Sequence, residues 1–526
     1  MRAYGRNAQK DVAWLESLFR GQSPTPFRPH PTPTLSPPNP TMPHFNLLQA
    51  PNTHILLSTT PDSKLRQPEL NQDVLLEVFH FYRLGVIDGD DWNLERWWYK
   101  PAQVCRTWRN LIHASSSRLD LHLVCSHGIP IADMLNHSPP LPLIINYLDN
   151  ITINDKKGIL LALKHRDRVS RISLTASATN SGKLGEAMNR SFPTLGRLRI
   201  YAKNNTRLIL PTAFHAPLLY GVTLIGAAHP IGAPLLNTTT PVGLVHLVLQ
   251  DIPHSSSFHP ENMAIQLSSM VQLKTVSISF RMSVPNRDVE RQLLNQRMTR
   301  MTLPNLTVFR FLGVSAYLED LLARITAPLL RNFDVRFFHQ LIFSLPHFSQ
   351  FINTTQELRS HLARVDFCEN KVSVVVDHED VHQDNNLFRI EVDCKRLDWQ
   401  VYTTAQICAA AAPVLSAVQT LNLNFHNHRP PSVQRDDVIS IKWHDLLMPF
   451  TGVKTLRVDT GLVGELSSAL QPDDRERLLE PLPGLRELVL PLRGDDPEGF
   501  NAFISTRQAA GCTTTLRFAD HPNVDK

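Results

Sequence analysis

The side chains best suited to chemistry in this 526-residue sequence are His378, Glu379 and His382, in the order His-Glu-x-x-His. On a helix, two histidines at this spacing share one face and can bind Zn²⁺ together, while the glutamate activates a metal-bound water. The chemistry would be that of a zinc metallopeptidase. The motif nevertheless lies in a polar, acidic stretch between two apolar segments, Val372–Val376 and Leu387–Val392, and has no apolar face for packing. We therefore interpret it as a surface loop, and the zinc enzyme is an alternative function.

Two further stretches resemble functional motifs less closely. Thr179–Lys183 follows a predicted strand, as a phosphate-binding loop would, but it lacks the earlier glycine and has Leu184 where that loop requires Ser or Thr. His426 and His428 end another predicted strand and indicate a turn with surface histidines. None of these patterns supports a catalytic centre. The sequence therefore predicts a protein that is not an enzyme and needs no cofactor or metal.

A third group of residues with chemical potential consists of arginines spaced along predicted strands. In a strand of the form L-x-x-L-x-L, side chains alternate, so the residues around the last two apolar positions face the concave side of a curved sheet. Guanidinium groups can bind carboxylate or phosphate through two parallel hydrogen bonds, which suits an acidic or phosphorylated target segment. The alternative is that these residues only keep the sheet soluble. The predicted substrate-binding residues are Arg197, Arg199, Tyr201, Arg310, Arg336, Arg364 and Arg389.

The elements that must position these arginines recur along the chain. Apolar triplets at i, i+3 and i+5 begin 24 to 35 residues apart, and in five of them a proline stands two residues ahead of the first apolar position. A strand and a helix in each such unit indicate an irregular leucine-rich-repeat-like solenoid, with a non-repetitive α/β domain as the alternative. The triplets begin at Val169, Leu195, Leu219, Leu244, Leu273, Leu306, Leu330, Leu362, Leu387, Val418, Val453 and Leu485.

Upstream of the triplets, residues 70–112 contain two predicted amphipathic helices. The first has an apolar stripe at the helical period, and the second presents three apolar residues on one face. Because helices this short are not stable alone, both stripes must pack against something. The stripes consist of Val74, Leu75, Val78, Phe79 and Tyr82 in the first helix and Val104, Trp108 and Leu111 in the second.

This region resembles the F-box, a three-helix module. The family pattern begins Leu-Pro-x-(Asp/Glu)-(Val/Leu)-Leu-x-x-Ile-Phe and continues, after a spacer, Val-Cys-(Arg/Lys)-x-Trp-Arg. Asn71 replaces the usual proline, the insert 85–100 is longer than in compact members, and the segments Arg118–Leu121 and Leu141–Ile145 are similar to the continuation found in large fungal F-box families. The matching residues are Leu70, Asp73, Val74, Leu75, Val78, Phe79, Val104, Cys105, Arg106, Trp108 and Arg109.

The resemblance implies a non-catalytic subunit of a Skp–cullin–F-box (SCF) E3 ubiquitin ligase, in the ubiquitin conjugation pathway. The F-box would bind the Skp-type adaptor, which links to the cullin scaffold, and the solenoid would bind an unknown protein substrate. Such a substrate adaptor acts by proximity, since tethering raises the local concentration of the target. A ligase-independent interaction scaffold is a further alternative. The predicted adaptor-binding residues are Leu70, Val74, Leu75, Val78, Phe79, Val104, Trp108 and Leu111.

Composition agrees with a soluble globular protein. The net charge of +5 is a small difference between 53 basic and 48 acidic residues, which does not indicate nucleic-acid binding. The six cysteines form no C-x-x-C pair, as expected for reduced thiols in a cytoplasmic and/or nuclear protein. No apolar run is long enough for a membrane span and no secretory signal is present, so we expect no membrane association.

The sequence therefore predicts an α+β or α/β chain of five segments. A disordered, proline-rich N-terminal segment covers residues 1–60, and the F-box domain covers 66–125. A connecting segment (126–165) leads to the leucine-rich-repeat-like substrate-recognition domain (166–515), and a C-terminal tail covers 516–526.

Overall fold

The structure is a computed structural model that describes twelve stretches of the chain. The proline-rich segment, Leu70, His378–His382 and residues 520–526 lie outside them. The described residues are 71–87, 96–148, 152–203, 214–226, 243–253, 259–281, 300–377, 387–426, 438–470, 481–491, 498–509 and 511–519.

Eighteen strands lie within these stretches. Sixteen of them belong to one large sheet, and β8 and β10 form a separate parallel pair. The strands are β1 (Leu123–Ser126), β2 (Leu143–Tyr147), β3 (Val169–Ala176), β4 (Arg197–Ala202), β5 (Gly221–Ile225), β6 (His246–Ile252), β7 (Thr275–Phe280), β8 (Met301–Thr302), β9 (Val308–Gly313), β10 (Ile325–Thr326), β11 (Asn332–Phe337), β12 (Leu362–Phe367), β13 (Lys371–Asp377), β14 (Leu387–Asp393), β15 (Thr420–Phe425), β16 (Thr455–Val458), β17 (Glu487–Pro491) and β18 (Thr515–Ala519).

The large sheet is mostly parallel, and its strands follow the chain order except at one place. Strands β1 to β7, β9 and β11 are successive neighbours, each parallel to the next. The order then becomes β14-β13-β12, with β13 antiparallel to both neighbours, and continues in parallel from β15 to β18. The predicted α/β class is therefore confirmed.

Helices connect most of the strands. Those between parallel neighbours belong to β-α-β connections, which are right-handed in nearly all proteins and so place successive helices on the same side of a sheet. The helices are α1 (Gln72–Ile87), α2 (Tyr99–Val104), α3 (Arg106–Ala114), α4 (Ile131–His137), α5 (Ile153–Lys164), α6 (Ser181–Met188), α7 (Pro260–Ser269), α8 (Ser315–Leu322), α9 (Pro346–Asn353), α10 (Leu397–Ala410), α11 (Ala412–Leu415), α12 (Val438–Leu447), α13 (Val463–Ala469) and α14 (Glu498–Ala509), with 3₁₀ turns at Gln356–Leu358 and Thr460–Leu462.

The burial pattern agrees with a sheet that is covered on one side. In β4, Leu198 and Ile200 are buried. The residues that alternate with them, Arg197, Arg199 and Tyr201, are exposed or half-buried. The same alternation recurs in β5, β7, β9 and β15. We call the side that carries these polar residues, together with the positions in register with them, the open face.

All twelve predicted triplets fall on strands, and in nine of them the strand begins two residues after the first apolar residue. The proline ahead of a triplet has a clear local role. The backbone N–H of Leu195 donates to the carbonyl of Phe192 at 3.2 Å, so Pro193 is the second residue of a four-residue turn. Proline suits that position because its φ angle is already fixed near the required value. The same hydrogen bond closes the turns that contain Pro217, Pro304, Pro328 and Pro483.

Three features of the sheet were not predicted. Strand β1 precedes the predicted connecting segment, and β2 and α5 lie within it, yet both strands pair in the large sheet. Residues 516–519 of the predicted tail belong to β18. Finally, β12 to β14 form successive antiparallel pairs, because the links 368–370 and 378–386 are too short for the crossover that parallel strands require.

Candidate binding surfaces

Helix α1 carries apolar side chains on two adjacent faces. The buried face packs into a continuous hydrophobic core shared with the sheet, and consists of Leu75, Leu76 and Phe79. The second face is exposed, with residues at i, i+4, i+7 and i+8, which lie on one side of a helix. It consists of Val74 (47% exposed), Val78 (48%), Phe81 (68%) and Tyr82 (40%).

The predicted adaptor-binding residues are therefore divided between core and surface. Leu75 and Phe79 are buried, and the ring of Phe79 contacts Trp108 edge-on with centroids 5.1 Å apart. Trp108 and Leu111 are half-buried against the core. Val74 and Val78 are exposed, and Val104 at the end of α2 is 62% exposed. Leu70 lies outside the described residues. Phe81 was missed by the sequence prediction, although its spacing from Val74 and Val78 is helical.

The tryptophan-rich insert (residues 85–100) connects helices α1 to α3 with the first strand of the sheet through packing and hydrogen bonds. Trp97 and Trp98 are buried, and the indole Nε1 of Trp98 donates to the carbonyl of His122 at 3.1 Å. A guanidinium nitrogen of Arg96 donates to the Ser126 hydroxyl and to the carbonyl of Val124 in β1. The helices and the sheet therefore share buried aromatic side chains and specific hydrogen bonds.

Three ion pairs add to this attachment. Arg118 pairs with Glu77 of α1 at 2.8 Å and reaches Asp73 at 3.4 Å. Arg83, also on α1, pairs with Asp120 at 3.2 Å. These pairs are largely exposed, so each contributes about 1 kcal/mol or less, and their main effect is to orient the helix.

A cleft of about 480 Å³ lies between the insert and helix α4. It combines aromatic rings, two basic side chains and two aliphatic side chains. Burial raises the pKa of one lining residue, the Tyr99 phenol, which Arg96 opposes. The lining residues are Tyr82, Arg96, Trp97, Tyr99, Lys100, Ile129 and Met134.

The open face of the sheet contains all seven predicted substrate-binding residues. Strand register places Arg199, Arg310, Arg389 and Arg364 in one row across the sheet, separated by the intervening strands. Arg197 lies two residues before this row in β4, and Tyr201 and Arg336 lie two residues after it in their strands. The alternation rule therefore placed these residues on the correct side.

The arginines in the middle of this face are paired with acidic neighbours. The carboxylate of Glu391, nearly buried in β14, lies 3.0 Å from Arg336, 3.0 Å from Lys371 and 2.8 Å from Arg389. Burial alone would raise the pKa of Glu391, but these three cations outweigh burial and hold that pKa below its ordinary value. Arg336 also pairs with Asp393 at 2.9 Å.

Other charged side chains on the open face also lie near side chains of opposite charge. Burial raises the pKa of Asp334 despite the nearby guanidinium groups of Arg389 and Arg310, and burial lowers the pKa of Arg310. Arg364 lies 3.0 Å from Asp366 within β12. The sequence indicates that Asp334, Asp366 and Glu391 lie near these arginines, but it did not predict which cation pairs with which carboxylate, because most partners come from other strands.

The remaining motifs do not form a site in the described residues. Asn180, in the stretch that resembled a phosphate loop, is buried and bonds its own turn through Ser177 and Thr175. His426 is exposed and lies 3.5 Å from Asp366, while His428 lies outside the described residues. Within the twelve stretches, no group of His, Cys, Asp and Glu could hold a metal ion, and no helix is long and apolar enough to cross a bilayer.

Comparison with known proteins adds no family assignment. No protein-family model matches the chain, and no curated protein matches it either. The features of the chain that bear on its function are the sequence pattern of residues 70–112, the exposed apolar face of α1 and the open face of the sheet.

Proposed function

We propose that this chain is the substrate-recognition subunit of a Skp–cullin–F-box E3 ubiquitin ligase. In this proposal residues 66–125 form the F-box and bind the Skp-type adaptor, which joins the chain to the cullin scaffold. The strand–helix units that follow form an irregular leucine-rich-repeat-like solenoid, and its open face binds a protein target. The chain itself is non-catalytic and acts in the cytoplasm, the nucleus or both.

The exposed apolar face of α1 is the observation that carries this proposal. Fully burying a side chain such as Val78 or Phe81 stabilises a protein by about 1.5–3 kcal/mol. The helix does not gain this stabilisation while both side chains remain exposed to water. The adjacent face of the helix is already anchored in the core, so these exposed side chains are not needed to hold the helix in place. Apolar patches of this kind mark protein interfaces. Val74 and Val78 of this patch are among the residues that resemble the F-box.

The regular part of the sheet supports the second half of the proposal. Successive parallel strands begin after similar turns, and their buried side chains join those of the helices in one continuous hydrophobic core. Units that bury their apolar side only against neighbours are typical of repeat proteins. In this proposal the exposed and half-buried side chains of the open face contact the partner.

The proposed mechanism is positional. The adaptor end and the sheet share a core, and Trp98 and Arg96 donate hydrogen bonds to His122, next to β1, and to Ser126 in β1. A target on the open face would therefore be held at a defined distance from the adaptor. Tethering of this kind raises the effective concentration of target lysines near the ubiquitin-charged enzyme without any catalytic group on this chain.

Binding of a purified Skp-type adaptor to the full chain tests this function. The Val78→Asp/Phe81→Asp variant places two carboxylates in the proposed interface, and we expect a loss of adaptor affinity of about 100-fold or more, measured by calorimetry. Leu75 is a poorer choice for substitution, because it is buried and its loss would also destabilise the core.

The matched control is Leu218→Asp/Ile342→Asp, which makes the same change at two exposed apolar residues of the sheet region. This control should bind the adaptor like the unmodified chain. Equal affinity of the α1 variant and the control would contradict the proposed interface. A chain that binds no adaptor at all would exclude the ligase function and favour the ligase-independent scaffold.

A further inference from the structure

The cleft beside the tryptophan-rich insert is bounded by three separate elements. Tyr82 comes from α1, and four of the lining residues come from the insert. Met134 comes from α4, and Ile129 from the link before it. Met134, Ile129 and Tyr99 pack against the continuous hydrophobic core, so the walls of the cleft are held in place by the fold. Its volume of about 480 Å³ lies within the range of small-molecule sites, about 300–1,000 Å³.

Aromatic rings supply most of the apolar lining. The rings of Tyr82 and Trp97 have centroids 6.4 Å apart and planes inclined at 54°. The ring of Tyr99 stacks on Trp98 with centroids 4.3 Å apart, which restricts its orientation. Aromatic rings prefer offset and edge-on contacts with other rings. The lining therefore favours a ligand with a flat aromatic body over one with an aliphatic chain.

Two cations line the cleft without a balancing acid. None of the described lining residues is an aspartate or a glutamate, and within the described stretches neither Arg96 nor Lys100 pairs with a carboxylate. Arg96 interacts instead with two phenols and a thiol, those of Tyr99, Tyr147 and Cys125. Burial raises the pKa of all three groups, so they are neutral at pH 7 and leave the positive charge uncompensated.

The polar groups of the lining can donate hydrogen bonds to an anion. One guanidinium nitrogen of Arg96 donates to the Ser126 hydroxyl and the Val124 carbonyl, which orients the guanidinium and leaves its other N–H groups for a ligand. Lys100 is exposed and its ammonium group adds further donors. The protonated phenol of Tyr99 is a third donor. Hydrogen bonds from cations to a carboxylate are stronger than those between neutral groups.

We propose that this cleft binds a small organic anion with a flat aromatic body, namely an aromatic carboxylate. The rings of Tyr82, Trp97 and Tyr99 contact the aromatic body, and Arg96 and Lys100 bind the carboxylate. The site is distinct from the open face of the sheet and does not depend on the proposed ligase function. It binds a ligand and performs no reaction on it.

Three probes test the site on the full chain, with affinities measured by saturation-transfer difference NMR. Naphthoate has both the rings and the carboxylate, naphthalenemethanol has the rings without the charge, and octanoate has the carboxylate without the rings. We expect naphthoate to bind at least tenfold more tightly than either of the other two, because only naphthoate uses both parts of the lining. Added salt should weaken the binding of naphthoate and leave that of the alcohol unchanged.

Two variants locate the site. Lys100→Glu reverses one charge of the lining and should weaken naphthoate binding at least tenfold while leaving the alcohol unaffected. A glutamate suits the first turn of α2, so this variant should fold. Met134→Trp fills the cleft and should weaken all three probes. The matched control is Lys183→Glu, which makes the same change at an exposed lysine of α6 outside the cleft and should retain full affinity.

Absence of saturable naphthoate binding would overturn the proposal. So would an affinity for naphthalenemethanol or octanoate that equals or exceeds the affinity for naphthoate, or equal losses in the Lys100 and Lys183 variants. Circular dichroism of every variant establishes that it is folded. Because no adaptor or target is present in this measurement, its failure leaves the proposed F-box interface untouched.

Discussion

The exposed face of α1 and the open face of the sheet differ in chemistry. The helix presents Val74, Val78 and Phe81 next to a buried face that anchors it. The sheet presents arginines, hydroxyl groups and carboxylates. An apolar face suits one partner that remains bound, with an affinity that salt does not weaken. A charged face suits selective contacts that salt weakens. In the proposed function, the constant partner binds the helices and the variable partner binds the sheet.

The sheet also contains a second contrast along its length. Around β14, the carboxylate of Glu391 is surrounded by Arg336, Lys371 and Arg389, so the charges balance within the protein. At β4, Arg197 and Arg199 contact tyrosine rings. The balanced charges around Glu391 contribute to the stability of the fold.

The largest expected effect is a difference in stability between two phenylalanine variants, one on each face of α1. Phe79→Ala should lower the free energy of unfolding by about 3–5 kcal/mol, because it removes a fully buried ring. Phe81→Ala should change it by about 0.5 kcal/mol or less, because that ring is exposed. Urea denaturation followed by circular dichroism measures both. Similar losses in the two variants would mean that α1 has no free face.

A smaller effect is expected from Glu391→Gln. Loss of the charge leaves three partly exposed cations close together, and we expect a destabilisation of about 1–3 kcal/mol at pH 7. Because the folded-state pKa of Glu391 lies below its ordinary value, its contribution is present above that ordinary value and is lost as pH falls through the folded pKa.

Denaturation curves of the unmodified chain and Glu391→Gln should therefore differ at pH 7 and converge in acid. Arg457→Gln, an exposed open-face arginine of β16, controls for the loss of one surface charge and should change stability by well under 1 kcal/mol. A constant difference between the two chains across pH would show that the cluster around Glu391 is not electrostatic in origin.

Much of the sheet could be predicted because the signals are local. An apolar triplet together with a proline turn specifies where a strand begins, and alternation specifies which side a residue faces. The exposed face of α1 was predicted only in part. Two apolar stripes on one helix look like a single wide stripe in sequence, so Leu75 and Val78 were assigned to the same surface although only Leu75 is buried.

The charge balance of the open face could not be predicted, because it depends on which strands are neighbours. Arg336 and Glu391 are far apart in sequence and become partners only through the β11–β14 register. That register depends in turn on the antiparallel β13, which the repeat pattern did not indicate. Long-range pairing of this kind carries no local sequence signal.

Affinity purification with mass spectrometry from cells expressing three tagged chains tests the central claim most directly. The unmodified chain should recover a Skp-type adaptor, a cullin and a set of target proteins. Val78→Asp/Phe81→Asp should lose the adaptor and cullin but retain the targets, and Arg197→Gln/Arg199→Gln should retain the adaptor and cullin but lose targets. Recovery of no adaptor and no cullin by the unmodified chain would contradict the assignment of this protein to a ubiquitin ligase.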